Sequence, residues 1–149
     1  MLRKNTLFIS LTKVSLLVAS MLILQACSNG IDVKHRDPDT NRWYTLAQVE
    51  QGGKIFLENC TSCHGVKAQA TKKWRVAKED GSYPAPPLNG TAHTWHHPLN
   101  MLKDTIKNGT KRGMPAWKNK LNEQQIEATI AWIESHWPEK VYQAWRKRH

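Results

Sequence analysis

The chain has 149 residues, room for one domain of ordinary size. It carries 22 lysines and arginines against 12 acids, a formal charge of +10, which favours anionic partners and membrane surfaces and works against basic ones. Its three cysteines, Cys27, Cys60 and Cys63, are the first residues whose chemistry has to be placed.

The N-terminus has the layout of an export signal. "MLRK" is positive, residues 14–24 are an unbroken apolar run, and "LQAC" ends the run with small residues before Cys27. The run falls short of the ~20 apolar residues of a transmembrane helix, and Lys13 blocks its extension upstream. Residues 1–26 are therefore expected to be a signal peptide. An ordinary signal cleaved nearby, or an uncleaved anchor, is the plain alternative. "LQAC" resembles a bacterial lipobox, which implies that Cys27 is lipidated and becomes the first mature residue. Ser28, rather than an acid, resembles the pattern of outer-membrane lipoproteins. The expected location is the bacterial cell envelope, facing the periplasm, with the outer membrane favoured. Export also argues against nucleic acid as the partner of the basic surface. Removing residues 1–26 takes away Arg3, Lys4 and Lys13 and no acid, which lowers the excess from +10 to +7.

Residues 27–43 read as a tether, polar and rich in breakers. Residues 28–42, fully extended, would reach roughly 50 Å. The domain is expected over residues 44–149. Its first helix is predicted at about 45–59, with Leu46, Val49, Gly52, Gly53 and Phe56 at helical spacing. A glycine in a helix costs about 1 kcal/mol against alanine, so this pair makes sense where another element comes very close. Residues 66–81 form a basic excursion with room for a short helix. "YPAPPLNG" cannot be helical, because its prolines lack amide donors and push the preceding residues towards extended backbone.

A short helix is predicted at about 99–107, closed by Asn108 and Gly109, with Leu99, Leu102 and Ile106 on its inner face. "GTKRGMPAWKNKL" is a loop. Asn122 and Gln125 form a capping box for the last helix, whose inner stripe is Ile126, Thr129, Ile130 and Ile133. Pro138 follows its end, and "VYQAWRKRH" adds a basic turn. No segment alternates over a strand length, so the domain is expected to be all-α. A core of this size gains from a large buried prosthetic group.

The motif "ENCTSCHG" begins where the first helix ends. A thioredoxin-like dithiol would need a parallel sheet around it, which the helical reading denies. A structural zinc site needs two more N or S ligands, and the nearest other histidine in the domain, His93, is distant. Cys60, Cys63 and His64 in the pattern C-x-x-C-H remain, the attachment signature of c-type haem. The two thiols, one helical turn apart, would form thioethers and His64 would ligate the iron. Among the four methionines, Met1 and Met21 leave with the signal, and Met101 lies on a predicted helix. Met114, in "GMPAW", sits on a loop that can lay a thioether on the far face of the cofactor.

The pieces "GGKIFLENCTSCHG", "PPLNG", "NGTKRGMPAW" and "LNEQQIEATIAWI" resemble, in this order, those of class I cytochromes c over nearly all of residues 43–137. The resemblance implies three or four helices and loops around one covalent haem c. It implies that the first and last helices cross at Gly52, Phe56 and Trp132. It also implies that Pro86 or Pro87 offers a carbonyl to His64. "TAHTWHHP" departs from the general pattern. There Trp95 could pack on the haem edge, His93, His96 and His97 could bind copper or zinc, or one of them could replace Met114.

The expected function is single-electron transfer between redox partners at a membrane surface, by a lipid-anchored carrier with no catalytic residues and no small-molecule substrate. Lys67, Lys72, Lys73, Arg75, Lys111 and Arg112, close in sequence to the iron ligands, suit an acidic redox partner. The rivals are a haem enzyme or sensor for gases or peroxide, and a tethered haem subunit of a larger dehydrogenase or oxidase complex.

Overall fold

The structure, a computed structural model, describes residues 36–149. The signal segment, Cys27 and most of the expected tether lie outside the described residues. The elements are α1 (Leu46–Asn59), α2 (Thr61–His64), a 3-10 turn (His93–His96), α3 (Leu99–Asn108), α4 (Glu123–Ser135) and α5 (Glu139–Arg148). Among the described residues there is no strand, as the all-α expectation requires.

Local chemistry sets the helix ends. Thr45 caps α1, and Gln48 returns the bond to the Thr45 amide. Asn122 and Gln125 do the same for α4. Gly109, at φ 71°, stops α3 in a conformation that other residues adopt at a cost.

The core is the crossing of α1 and α4, at the residues the sequence indicates. A Cβ on Gly52 would fall onto the Ala128 carbonyl oxygen, so the two backbones touch. One turn on, Phe56 is fully buried and its ring lies 4.2 Å from that of Trp132. Ile126, Thr129, Ile130 and Ile133 are all buried. The tryptophan and isoleucine stripe of α4 thus closes over the end of α1 from which the cysteine motif leaves.

Three expectations need correction. Residues 66–81 contain no helix. Ala68 and Ala70 take φ of 53° and 57°, which breaks any helical run. Their amide and carbonyl groups are used instead to fold the segment back, with Ala70 N–H donating to the His64 carbonyl at 2.7 Å and Leu88 N–H to the Ala68 carbonyl at 2.8 Å. The C-terminal basic turn is a ten-residue helix, α5. Pro138 does two jobs: it follows α4 and caps the start of α5, where a missing amide costs nothing. Tyr142 and Trp145, three residues apart, are fully buried, and Trp145 Nε1–H donates to the His97 carbonyl at 2.8 Å.

The packed structure also begins inside the expected tether. An Asp37-centred turn leads into Arg42, whose guanidinium donates to the Glu134 and Trp137 carbonyls at 2.6 and 3.3 Å and to the Glu139 carboxylate at 3.0 Å. Trp43 is buried, its amide donating to Tyr142 Oη at 3.1 Å and its indole to Glu134 Oε2 at 2.8 Å.

Glu134 is fully buried and its Oε1 has no hydrogen-bond partner among the described residues. Burial pushes its pKa up to about 8, against the opposing pull of the Trp43 indole and Arg42. An acid whose folded pKa is raised favours folding when protonated. Its contribution is constant below the unfolded value of about 4.3, is lost as pH rises towards 8, and is flat above. Glu134→Gln is neutral throughout. The melting temperature of the variant relative to the wild type should therefore climb between pH 4.5 and 8 and then level. A difference independent of pH would show that Glu134 is not held protonated by its burial.

Candidate functional site

Helix α1 hands over to the motif without a break. Cys60 N–H donates to the Phe56 carbonyl at 2.9 Å, and His64 N–H to the Cys60 carbonyl at 2.9 Å. Cys60, Cys63 and His64 therefore share one turn and α2. Cys63 is exposed, Cys60 half-buried, and the two thiols form no disulfide. Gly65, at φ 75°, ends the turn. That backbone conformation is one that side-chain-bearing residues adopt at a cost, so glycine suits the tight reversal.

His64 is 8% exposed, which puts its imidazole inside the domain beside Phe56, at 6.5 Å between rings. Its Nδ1 lies 3.0 Å from the Pro86 carbonyl. With the proton on Nδ1 donated to that oxygen, Nε2 keeps its lone pair for a ligand bond. The choice between Pro86 and Pro87 is made by what lies behind them. Pro87 gives its carbonyl to Thr94 Oγ1 at 3.2 Å, Leu88 gives its own to Trp137 Nε1 at 2.7 Å, and the Leu88 amide is held by Ala68. These bonds leave the Pro86 oxygen to face the ring. Burial lowers the His64 pKa and outweighs the opposing bond to Pro86, so the ring is neutral at pH 7. Burial, then the neighbouring Cys63, pushes the Cys60 thiol up to about 11, so it stays protonated.

Met114 sits on the loop after α3. Its carbonyl accepts from the Thr110 amide at 2.9 Å and its amide reaches Thr110 Oγ1 at 3.3 Å. The loop is stitched back to α3 by Trp117 N–H, which donates to the Ile106 and Lys107 carbonyls at 3.1 and 3.2 Å. Met114 is thus a half-buried thioether on a hydrogen-bonded loop. Met101 is 49% exposed, away from the face of α3 that buries Leu99 and Ile106.

His93 and His97 lie 5.7 Å apart between ring centres, and His96 stacks edge-on against Trp95 at 4.0 Å. Among the described residues no group of three histidines, cysteines or acids is arranged to hold a metal ion, so the copper or zinc reading of this stretch finds no support. Sequence reasoning missed the roles of Thr94, Trp137 and Leu88. Each acts through a partner far along the chain and leaves no local pattern.

Residues 47–133 match the family model described as cytochrome c oxidase, cbb3-type, subunit III. The chain belongs to this cytochrome c family. It is 33% identical over 87 residues to the cbb3-type cytochrome c oxidase subunit CcoP of Azospirillum brasilense, covering 58% of this chain and 28% of that protein. It is 33% identical over 92 residues to cytochrome c6 of Nostoc, covering 58% of this chain and 69% of that one. Among solved structures, cytochrome cL of Methylophaga aminisulfidivorans aligns with a TM-score of 0.49 at 18% identity, covering 77% of this chain and 71% of that one. The chain thus spans less than a third of the CcoP relative and over two thirds of the cytochrome c6.

This is a class I c-type cytochrome, a family that carries covalent haem c. The donor set fits that group. Two thiols left unpaired on one turn suit thioether attachment, and an imidazole with one nitrogen already bonded and a thioether on a stitched loop are borderline and soft donors that suit haem iron.

Proposed function

We propose that the chain is a monohaem electron carrier held at a bacterial membrane surface by lipid on Cys27. In this reading Cys60 and Cys63 hold the haem through thioethers, and His64 and Met114 are the axial ligands. The observation that carries it is the 3.0 Å contact from His64 Nδ1 to Pro86 O, beside two unpaired cysteines. That bond orients the imidazole and raises its basicity as a ligand. The haem supplies a one-electron iron couple. The protein's own residues set the ligands, the burial and the docking surface. Phe56, fully buried against Trp132, packs beside His64, and the bonds made by the Thr110 and Trp117 amides hold the Met114 loop to itself and to α3.

Lys67, Lys72, Lys73, Arg75, Lys111 and Arg112 are all exposed on the segments flanking the ligands, which supports an acidic redox partner. A second reading, a tethered haem subunit of a larger complex, is favoured by the printed role of the CcoP relative as an oxidase subunit. Among the described residues no helix is long and apolar enough to cross a membrane.

Stopped-flow mixing tests the carrier reading. The reduced protein should bind carbon monoxide negligibly, since both axial positions are filled. Its electron-transfer rate with an acidic partner should fall steeply with ionic strength, because the screening length drops from ~10 Å at 0.1 M salt to ~3 Å at 1 M. Rapid carbon monoxide binding would turn the reading towards a gas-reactive haem protein, and a salt-independent rate would remove the acidic partner.

A further inference from the structure

One charged surface is left unused by the electron-transfer reading. The last turn of α5 is Arg146, Lys147 and Arg148, and the 3-10 turn bearing Trp95 and His96 lies against it. The two elements are pinned together by the bond from Trp145 Nε1 to His97 O. The Arg148 guanidinium stands 5.9 Å from the centre of the Trp95 ring, and Trp95 in turn meets His96. Burial first, and then the neighbouring His93, His96 and His149, lower the His97 pKa. Among the described residues none of Arg146, Lys147 and Arg148 pairs with a carboxylate. Lys147, Arg148 and His96 are exposed, and Trp95 is half-buried.

We infer that this cationic and aromatic face rests on anionic phospholipid headgroups, so that the domain lies on the membrane with the end of α5 and Trp95 against it. The inference rests on the lipid-anchored reading of Cys27. Three observations favour a lipid surface as the occupant. The first is charge complementarity with no internal neutralisation. The second is an indole placed beside cationic side chains, the amphipathic pairing that suits a water–membrane interface.

The third is reach. The described chain begins at Arg36, and the nine residues from Cys27 to there span at most roughly 30 Å. The strap that follows is fastened by Arg42 to Glu139, at the start of α5. A ten-residue helix is about 15 Å long, so the anchor line and the cationic face join opposite ends of one short rod, within the tether's length. Tethering at that distance keeps the local lipid concentration high, so a weak contact suffices. Each basic side chain near an anionic surface favours contact about fivefold.

The mature holo-protein, reconstituted with vesicles of phosphatidylcholine alone or with added phosphatidylglycerol, tests this. Modification of His96 by diethyl pyrocarbonate should slow several-fold on the phosphatidylglycerol vesicles only. High salt should restore the rate, and so should the exposed double variant Lys147→Gln/Arg148→Gln, whose haem spectrum should be unchanged. Flotation separates the two readings. If the protein floats with both vesicles while His96 reacts equally on each, the face is wrong and the anchor stands. If it floats only with phosphatidylglycerol, the anchor is wrong and the face stands. Flotation with neither overturns both. Protection of His96 by an acidic redox protein, but not by either vesicle, would make this face a protein-docking surface and overturn the inference.

Discussion

A valine in place of Gly52 is expected to remove a large part of the domain's stability and to lower its melting temperature sharply. Its Cβ would land on the Ala128 carbonyl, a backbone atom of α4 that has no rotamer to escape into. The only relief is to push α4 away from α1, which loosens the contact of Phe56 with Trp132 and opens the cover of His64. Overpacking a side chain typically costs 1–3 kcal/mol, and here about 3 or more because backbone meets backbone. That is a large part of the roughly 5–15 kcal/mol that holds a domain together. Gly52→Ala should destabilise as well, despite a gain in helix propensity of about 1 kcal/mol. Gly53→Ala meets the half-buried Trp132 ring at 2.9 Å rather than backbone at 1.8 Å, and should cost less. Thermal melts of the three variants should rank Gly52→Val worst and Gly53→Ala mildest. A Gly52→Ala protein as stable as the wild type would mean that the helices do not cross there.

Met114→Ala carries the second large effect. A thioether ligand raises the potential of haem iron relative to a harder donor, and axial ligation spans about 0.8 V across haem proteins. Removing it should lower the midpoint potential by on the order of 0.1 V or more. The weak sulfur-to-iron absorption of the oxidised protein should vanish with it. Met101→Ala should change neither, because its side chain is 49% exposed and lies off the buried face of α3. The fold should survive both substitutions, since the loop around Met114 is held by backbone bonds from Thr110 and Trp117. An unchanged potential in Met114→Ala, with loss of the band in Met101→Ala, would reverse the assignment.

The features legible in the sequence are those whose causes are local. The capping box of Asn122 and Gln125, the glycine stop of α3 and the isoleucine stripe of α4 each act within a few residues, and each appears where the pattern places it. The Gly52, Phe56 and Trp132 crossing follows from resemblance, because nothing near Gly52 says which helix approaches it. The features that stay hidden depend on distant partners. Pro86 is singled out only by Thr94, Trp137 and Ala68, which hold the residues next to it. Glu134 looks like a surface acid of an amphipathic helix until Trp43, ninety-one positions away, covers it. Helix α5 buries just Tyr142 and Trp145, too few positions to show a period, and the proline that starts it reads as an ending. The left-handed Ala68 and Ala70 have no signature at all, since alanine ordinarily favours helix.

The central claim, that Cys60 and Cys63 carry the haem, is tested most directly by the mass of the holo-protein after acid–acetone extraction. The colour should stay with the polypeptide, and the mass should exceed that of the bare chain by one haem. Cys60→Ser/Cys63→Ser should remove both. A colourless chain of unmodified mass, with the haem in the acetone, would contradict it.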